Sequence, residues 1–139
     1  MIEKPVEIFN ILEITKEFIK ALEARESFED LKRFYHADVI QTEYPNGLAK
    51  NTIVRRLRDL EDAAARGRKV LQKETYEIVK EYVAGNTVII EAVWRGILAM
   101  PVGKIPVGGE MKAYFAQVYE FKDGKIYRQR NYDCFESFA

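Results

Sequence analysis

Two alternating runs, MKAYFAQVYEF and IYRQRNYDCF, meet across Lys122-Asp123-Gly124-Lys125. Asp-Gly tolerates the positive φ that a two-residue reversal demands, so this stretch predicts a β-hairpin and fixes the pairing of everything after it. Along its second arm, alternation sets Tyr127, Gln129, Asn131 and Asp133 on one face and Ile126, Arg128, Arg130, Tyr132 and Cys134 on the other. If the first set faces inward, it forms a polar ladder.

Upstream the period changes. Pro5 is placed to start a helix in which Ile8, Ile11, Leu12, Thr15, Phe18, Ile19 and Leu22 recur at helical spacing to about Ala24. Ser27 with Asp30 resembles a capping box and opens a short helix that ends near His36. Val39 to Tyr44 is rich in strand formers and stops at Pro45-Asn46-Gly47. Asn51 or Thr52 then caps a third helix through Ile53, Leu57, Leu60 and Ala64, which Gly67 terminates. Two long strands, Val70 to Ala84 and Thr87 to Ala99, flank Gly85-Asn86, and a Pro/Gly-rich connection from Met100 to Glu110 leads into the final hairpin. That connection reads as a strand connection by default, or as a lid or a dimer arm. The order predicts an α+β fold with helices on one face of a curved sheet, in a single domain spanning 1–139.

Composition narrows the function classes. With 22 basic and 22 acidic residues the formal charge is zero, so no polyanion footprint favours nucleic acid. No apolar run reaches membrane-spanning length and the N-terminal segment lacks a signal-peptide core, so a cytoplasmic chain without a membrane partner is expected. One cysteine and one histidine leave no thiolate or zinc framework, and neither a metal nor another cofactor is expected.

The two N-terminal helices, FYHADVIQTEYPNG, the third helix and the closing FKDGKIYRQRNYDCF together resemble the nuclear-transport-factor-2-like superfamily and, within it, the SnoaL-like branch. The resemblance covers essentially the whole chain. It implies a cone-shaped, strongly curved, mostly antiparallel sheet wrapped around three helices from the N-terminal half, open at one end to an apolar pocket. It also implies a homodimer through the sheet's outer face. Related families include ketosteroid isomerases, polyketide cyclases, limonene epoxide hydrolases, dehydratases and pure binding domains, and fold alone does not choose among them.

Glu43 closes the first strand ahead of Tyr44 and Pro45; in an apolar pocket its carboxyl would titrate high enough to act as a general base. Counted from Asp38, the strand-end base of the isomerases matches Glu43, whereas counted back from Pro45 it matches Tyr44, and alternation lets only one of them point inward. An exposed acid is the competing reading. By resemblance Asp133 matches the proton-transferring acid of SnoaL-like cyclases, and Gln117 falls where the isomerases carry an oxyanion-hole aspartic acid. A structural ion pair and a backbone-satisfying amide are the alternatives for these two. Tyr44, Trp94, Tyr114, Tyr127, Gln129 and Asn131 complete the candidate substrate-binding set, with Trp94, Ile90 and Ala92 facing inward on their strand. Epoxide hydrolysis is set aside, because Asn131 stands where that family needs an aspartate and Ala92-Val93-Trp94 replaces its Arg-x-Asp pair. The expected function is cofactor-independent proton transfer on a small apolar, ring-bearing molecule: isomerisation, cyclisation or dehydration. A non-catalytic ligand carrier and a dimerisation module with a vestigial pocket are the alternatives.

Overall fold

A computed structural model describes residues 9–139, so the expectations for Pro5 and Ile8 lie outside the described residues. Helix α1 (Ile11–Glu23) starts at Asn10, whose side chain accepts from the Glu13 N–H at 3.1 Å. Helix α2 (Phe28–Leu31) is capped by Ser27, which accepts from the Asp30 N–H at 3.3 Å. It tightens at once into a 3-10 turn (Lys32–Phe34), and strand β1 (Tyr35–Glu43) follows. His36 is therefore a strand residue and not a helix end. Tyr35 and Val39 are buried in the core there, and pairing with the last strand outweighs helical continuation.

A second correction concerns the third helix. Ile53–Arg55 forms β2, antiparallel to β1 in the register Gln41↔Arg55 and Glu43↔Ile53. Its β-branched pair finds a free strand edge, so α3 (Leu57–Val70) begins only after Arg56, whose N–H donates to Asp59 Oδ2 at 2.8 Å. Nor does Gly67 end this helix. The helix runs on to Val70 and feeds directly into β3 (Leu71–Ala84).

Strands β4 (Thr87–Leu98), β5 (Glu110–Lys122) and β6 (Lys125–Phe135) complete one sheet, ordered β2-β1-β6-β5-β4-β3. Only β1 and β6 run parallel. Asp123 and Gly124 take φ of 53° and 73°, the left-handed pair that a tight hairpin requires. Val88, Ile90, Ala92, Trp94 and Leu98 of β4 alternate with more exposed neighbours, and Met111, Ala113, Phe115, Gln117, Tyr119 and Phe121 do so on β5. Phe18 and Ile19 of α1 pack onto this inner face, where Phe18 meets the rings of Phe34, Tyr35 and Tyr119 edge-on. The result is a curled sheet closed around its helices.

One bulge decides which side chains point in. Glu120 pairs with Arg128 but Phe121 pairs with Ile126, so Tyr127 is an extra residue on β6. Ile126 consequently joins Gln129, Asn131 and Asp133 on the inner face, and Tyr127 leaves it. This corrects the simple alternation. The 100–110 connection proves to be a wall of the core: Val102 and Ile105 bridge one another and pack with Phe135 and Phe138 against Trp94, Leu98, Met111 and Phe115.

Candidate active site

A cavity of about 250 Å³ lies between the three helices and the inner face of the sheet. Phe18 and Leu22 of α1, Phe28 and Leu31 of α2, and Tyr35 give it apolar walls, while Gln41, Gln117, Gln129 and Asn131 line the sheet side. Small residues make the space. Ala63, Ala64 and Gly67 form the α3 wall, and a Cβ on Gly67 would meet nothing within 4 Å. Arg25 and Arg68 close one end by hooking each other's backbone: Arg68 donates to the Arg25 carbonyl at 3.0 Å, and Arg25 to that of Arg68 at 3.4 Å.

The amides form a ladder across β1, β6 and β5. Gln41 pairs in register with Gln129, Glu43 with Asn131, and Gln117 with Asn131 from the other side. Gln129 donates to Asn131 Oδ1 at 2.9 Å, and Tyr119 donates its hydroxyl to Gln117 Oε1 at 2.6 Å. Gln129 Oε1 and Asp133 Oδ1 are buried with no hydrogen-bond partner among the described residues. Orphaned buried acceptors are uncommon and costly, so a donor belongs there.

Glu43 lies on the same face of β1 as Val39 and Gln41, and Tyr44 on the other, where its ring stacks on Tyr132 at 4.8 Å. The Glu43 carboxylate is occupied. Arg55 Nη1 sits 2.7 Å from Oε1, Asn46 donates to Oε2 at 2.8 Å, and the Glu43 and Arg55 side chains are only 17% and 13% exposed. The same Arg55 nitrogen also donates to Gln41 Oε1 at 3.2 Å.

Asp133 has no such cation. It follows Asn131 on the inner face of β6, opposite Phe115, and its titration is pushed up to about 7. Burial is the main cause and the neighbouring Glu43 charge the second, while the Gln117 side chain favours the ionised form and offsets part of the rise. Two carboxyls thus sit in contrasting environments: one clamped by an arginine, the other poised to exchange a proton near neutrality.

The remaining candidates divide. Trp94 is buried on the inner face and stacks on Phe115 at 5.4 Å, beyond the cavity wall. Tyr114 is 46% exposed on the outer face and donates to Glu136. Tyr127 packs between His36 and the Arg128 guanidinium, also away from the cavity. Sequence reading missed Glu74 and Arg25, which line the cavity. The signal for the first was present, since Glu74 shares the strand face of Tyr76 and Ile78, an acid on an otherwise apolar side. Among the described residues no cluster of metal-ligating side chains occurs, and no helix is long and apolar enough to cross a membrane.

This architecture, a curled sheet closed over helices with a polar ladder facing the cavity, defines the nuclear-transport-factor-2-like class. A putative polyketide cyclase from Streptomyces antibioticus superposes with a TM-score of 0.74 at 12% identity, over 89% of this chain and 91% of that one. An NTF2-like protein from Burkholderia pseudomallei gives 0.70 at 14% identity, over 93% and 92%. A protein with a ketosteroid-isomerase-like fold from Catenulispora acidiphila gives 0.67 at 20%, over 86% and 84%. No curated protein matches the chain by sequence. The SnoaL-like domain profile matches residues 15–129, and the chain belongs to that family. Asp133 lies just beyond the matched stretch.

Proposed function

We propose that this chain is a SnoaL-like enzyme that moves a proton on a small ring-bearing molecule without a cofactor, with Asp133 as the group that takes and returns it. The observation that carries this reading is a half-buried carboxyl with one buried, orphaned oxygen, titrating near neutrality beside the cavity's amide ladder. In its ionised form Asp133 removes a proton from a carbon next to a carbonyl, and the resulting acid returns it to the same or a conjugated carbon. Gln117 holds Asp133. Burial and, second, the Glu43 charge that Arg55 holds in place keep the proton affinity of Asp133 high, so Glu43 is a positioning residue and not the base. At about 250 Å³ the cavity is smaller than the roughly 300–1,000 Å³ usual for drug-sized ligands, which favours one or two rings over four.

Deuterium exchange at the acidic methylene of β-tetralone, followed by proton NMR, tests this without knowledge of the natural substrate. The wild-type protein is expected to accelerate exchange over buffer, and Asp133→Asn to lose about 100-fold or more of that acceleration. Exchange at the buffer rate with wild type, or an unimpaired Asp133→Asn variant, removes the assignment and leaves a ligand carrier.

The same reading includes a second copy on the outer sheet face, where the stacked Tyr44 and Tyr132 lie with Tyr114, an aromatic patch. Sedimentation equilibrium at micromolar concentration should give twice the mass of the 16.2 kDa chain. A Tyr114→Glu, Tyr132→Glu variant should give one mass, and an unchanged assembly would place the interface elsewhere.

A further inference from the structure

Glu74 is a half-buried carboxyl on the cavity wall, and the proton transfer at Asp133 makes no use of it. It faces Gly96 across the β3–β4 pair, next to the Tyr76↔Trp94 pair. A Cβ on Gly96 would lie 2.6 Å from Cη2 of Trp94 and 2.8 Å from a Leu71 methyl, so the glycine leaves room for the indole to lie over it, beside Glu74. The Tyr76 hydroxyl and the Trp94 N–H neighbour the Glu74 carboxyl and favour its ionised form. Among the described residues no cation is in salt-bridge contact with it. Burial raises its titration above the ordinary glutamate range, with Arg25 opposing and Glu23 adding to the rise.

Withdrawing an acid partly from solvent costs desolvation that an apolar side chain of the same volume avoids. Glu74 lines the cavity. Gln129, only 4% exposed, lines the same cavity with an unpartnered Oε1. Both groups are acceptors. A hydrocarbon or a simple ketone would leave both unsatisfied, whereas a ligand hydroxyl satisfies either.

We propose that Glu74 is a ligand-contacting residue and that the molecule it takes is a hydroxylated one- or two-ring compound whose hydroxyl donates to its carboxylate. This rests on the reading of the cavity as a small-molecule site, and it is independent of which residue moves the proton. The groups facing Glu74 are Glu23 and Arg25 at the end of α1, Arg68 of α3, Tyr76 on its own strand, Trp94 of β4, Tyr119 of β5 and, through Tyr76, Asp133 of β6. Because the carboxylate is the better acceptor, affinity for a phenol rises with pH as Glu74 loses its proton.

Calorimetric titration of β-naphthol and its methyl ether at pH 8 tests the proposal. Wild type should bind the naphthol about tenfold or more tighter than the ether. Glu74→Gln should reduce the preference below about threefold with an unchanged circular dichroism spectrum. Should that variant not fold, Glu74→Asp, which withdraws the carboxyl by one methylene, should reduce it likewise. Full preference in the Glu74 variants, equal binding of the two compounds by wild type, or no binding of either overturns the proposal. A failure of β-tetralone exchange with the naphthol preference intact removes the proton-transfer reading alone.

Discussion

Asp133→Asn is expected to make the protein more stable at pH 8, by at most about 4 kcal/mol, and to change it little below pH 4. Asp133 titrates near 7 when folded, against 3.8 for an ordinary aspartate. Between those values the unfolded chain has released the proton and the native protein still holds it. The native state binds more protons there, so the stability of the wild-type protein falls as pH rises across that window and levels off above it. Asparagine neither titrates nor carries a charge next to Glu43, and it escapes the penalty. Chemical denaturation of both proteins at several pH values reads the effect. Curves that stay parallel from pH 4 to 8 would mean that Asp133 is not the buried, proton-holding group described above. Coupled with a loss of exchange activity, a gain in stability is what a site that stores unfavourable electrostatics for chemistry should give.

Arg55→Met carries the second large effect, in the opposite direction. It strips the cation from Glu43 in a pair whose side chains are 13% and 17% exposed, and it should cost about 3 kcal/mol, toward the lower end of the range for broken buried pairs. The loss belongs to the orphaned carboxylate more than to the attraction. Glu43→Met combined with Arg55→Met should therefore recover most of it, and a double variant no more stable than Arg55→Met would show that Arg55 acts through packing alone. Glu43→Gln alone should lower the titration of Asp133 from about 7 while leaving it above the ordinary range, since burial and not Glu43 is the larger cause. Carbon-detected NMR of the Asp133 carboxyl reads that shift.

Much of this site was legible before folding. Gln129, Asn131 and Asp133 recur at the two-residue period that sends side chains to one face, and they do line up inward. Trp94, Ile90 and Ala92 face in for the same reason. Tyr127 fails the rule because one bulged residue resets the alternation, and nothing local in IYRQRN marks where a ladder slips. Ile53 to Arg55 carried a similar ambiguity: three residues after a turn suit a helix start until a strand edge is offered to them. Arg55 falls in the stretch read as the third helix, and the β1–β2 pairing is what carries it to Glu43.

By itself the sequence determined most of the elements, the tight hairpin turns and most of the inward polar face, because periodicity and turn chemistry are local properties of the chain. It also carried the family resemblance. The tertiary structure alone decided that Glu43 is clamped while Asp133 is not, that Glu74 reaches the cavity, and that Tyr44, Tyr114 and Tyr127 lie outside it. Those outcomes depend on strand register, on a bulge and on which distant charges come within a few ångströms, and the proton affinity of such a carboxyl is set first by burial and then by those neighbours.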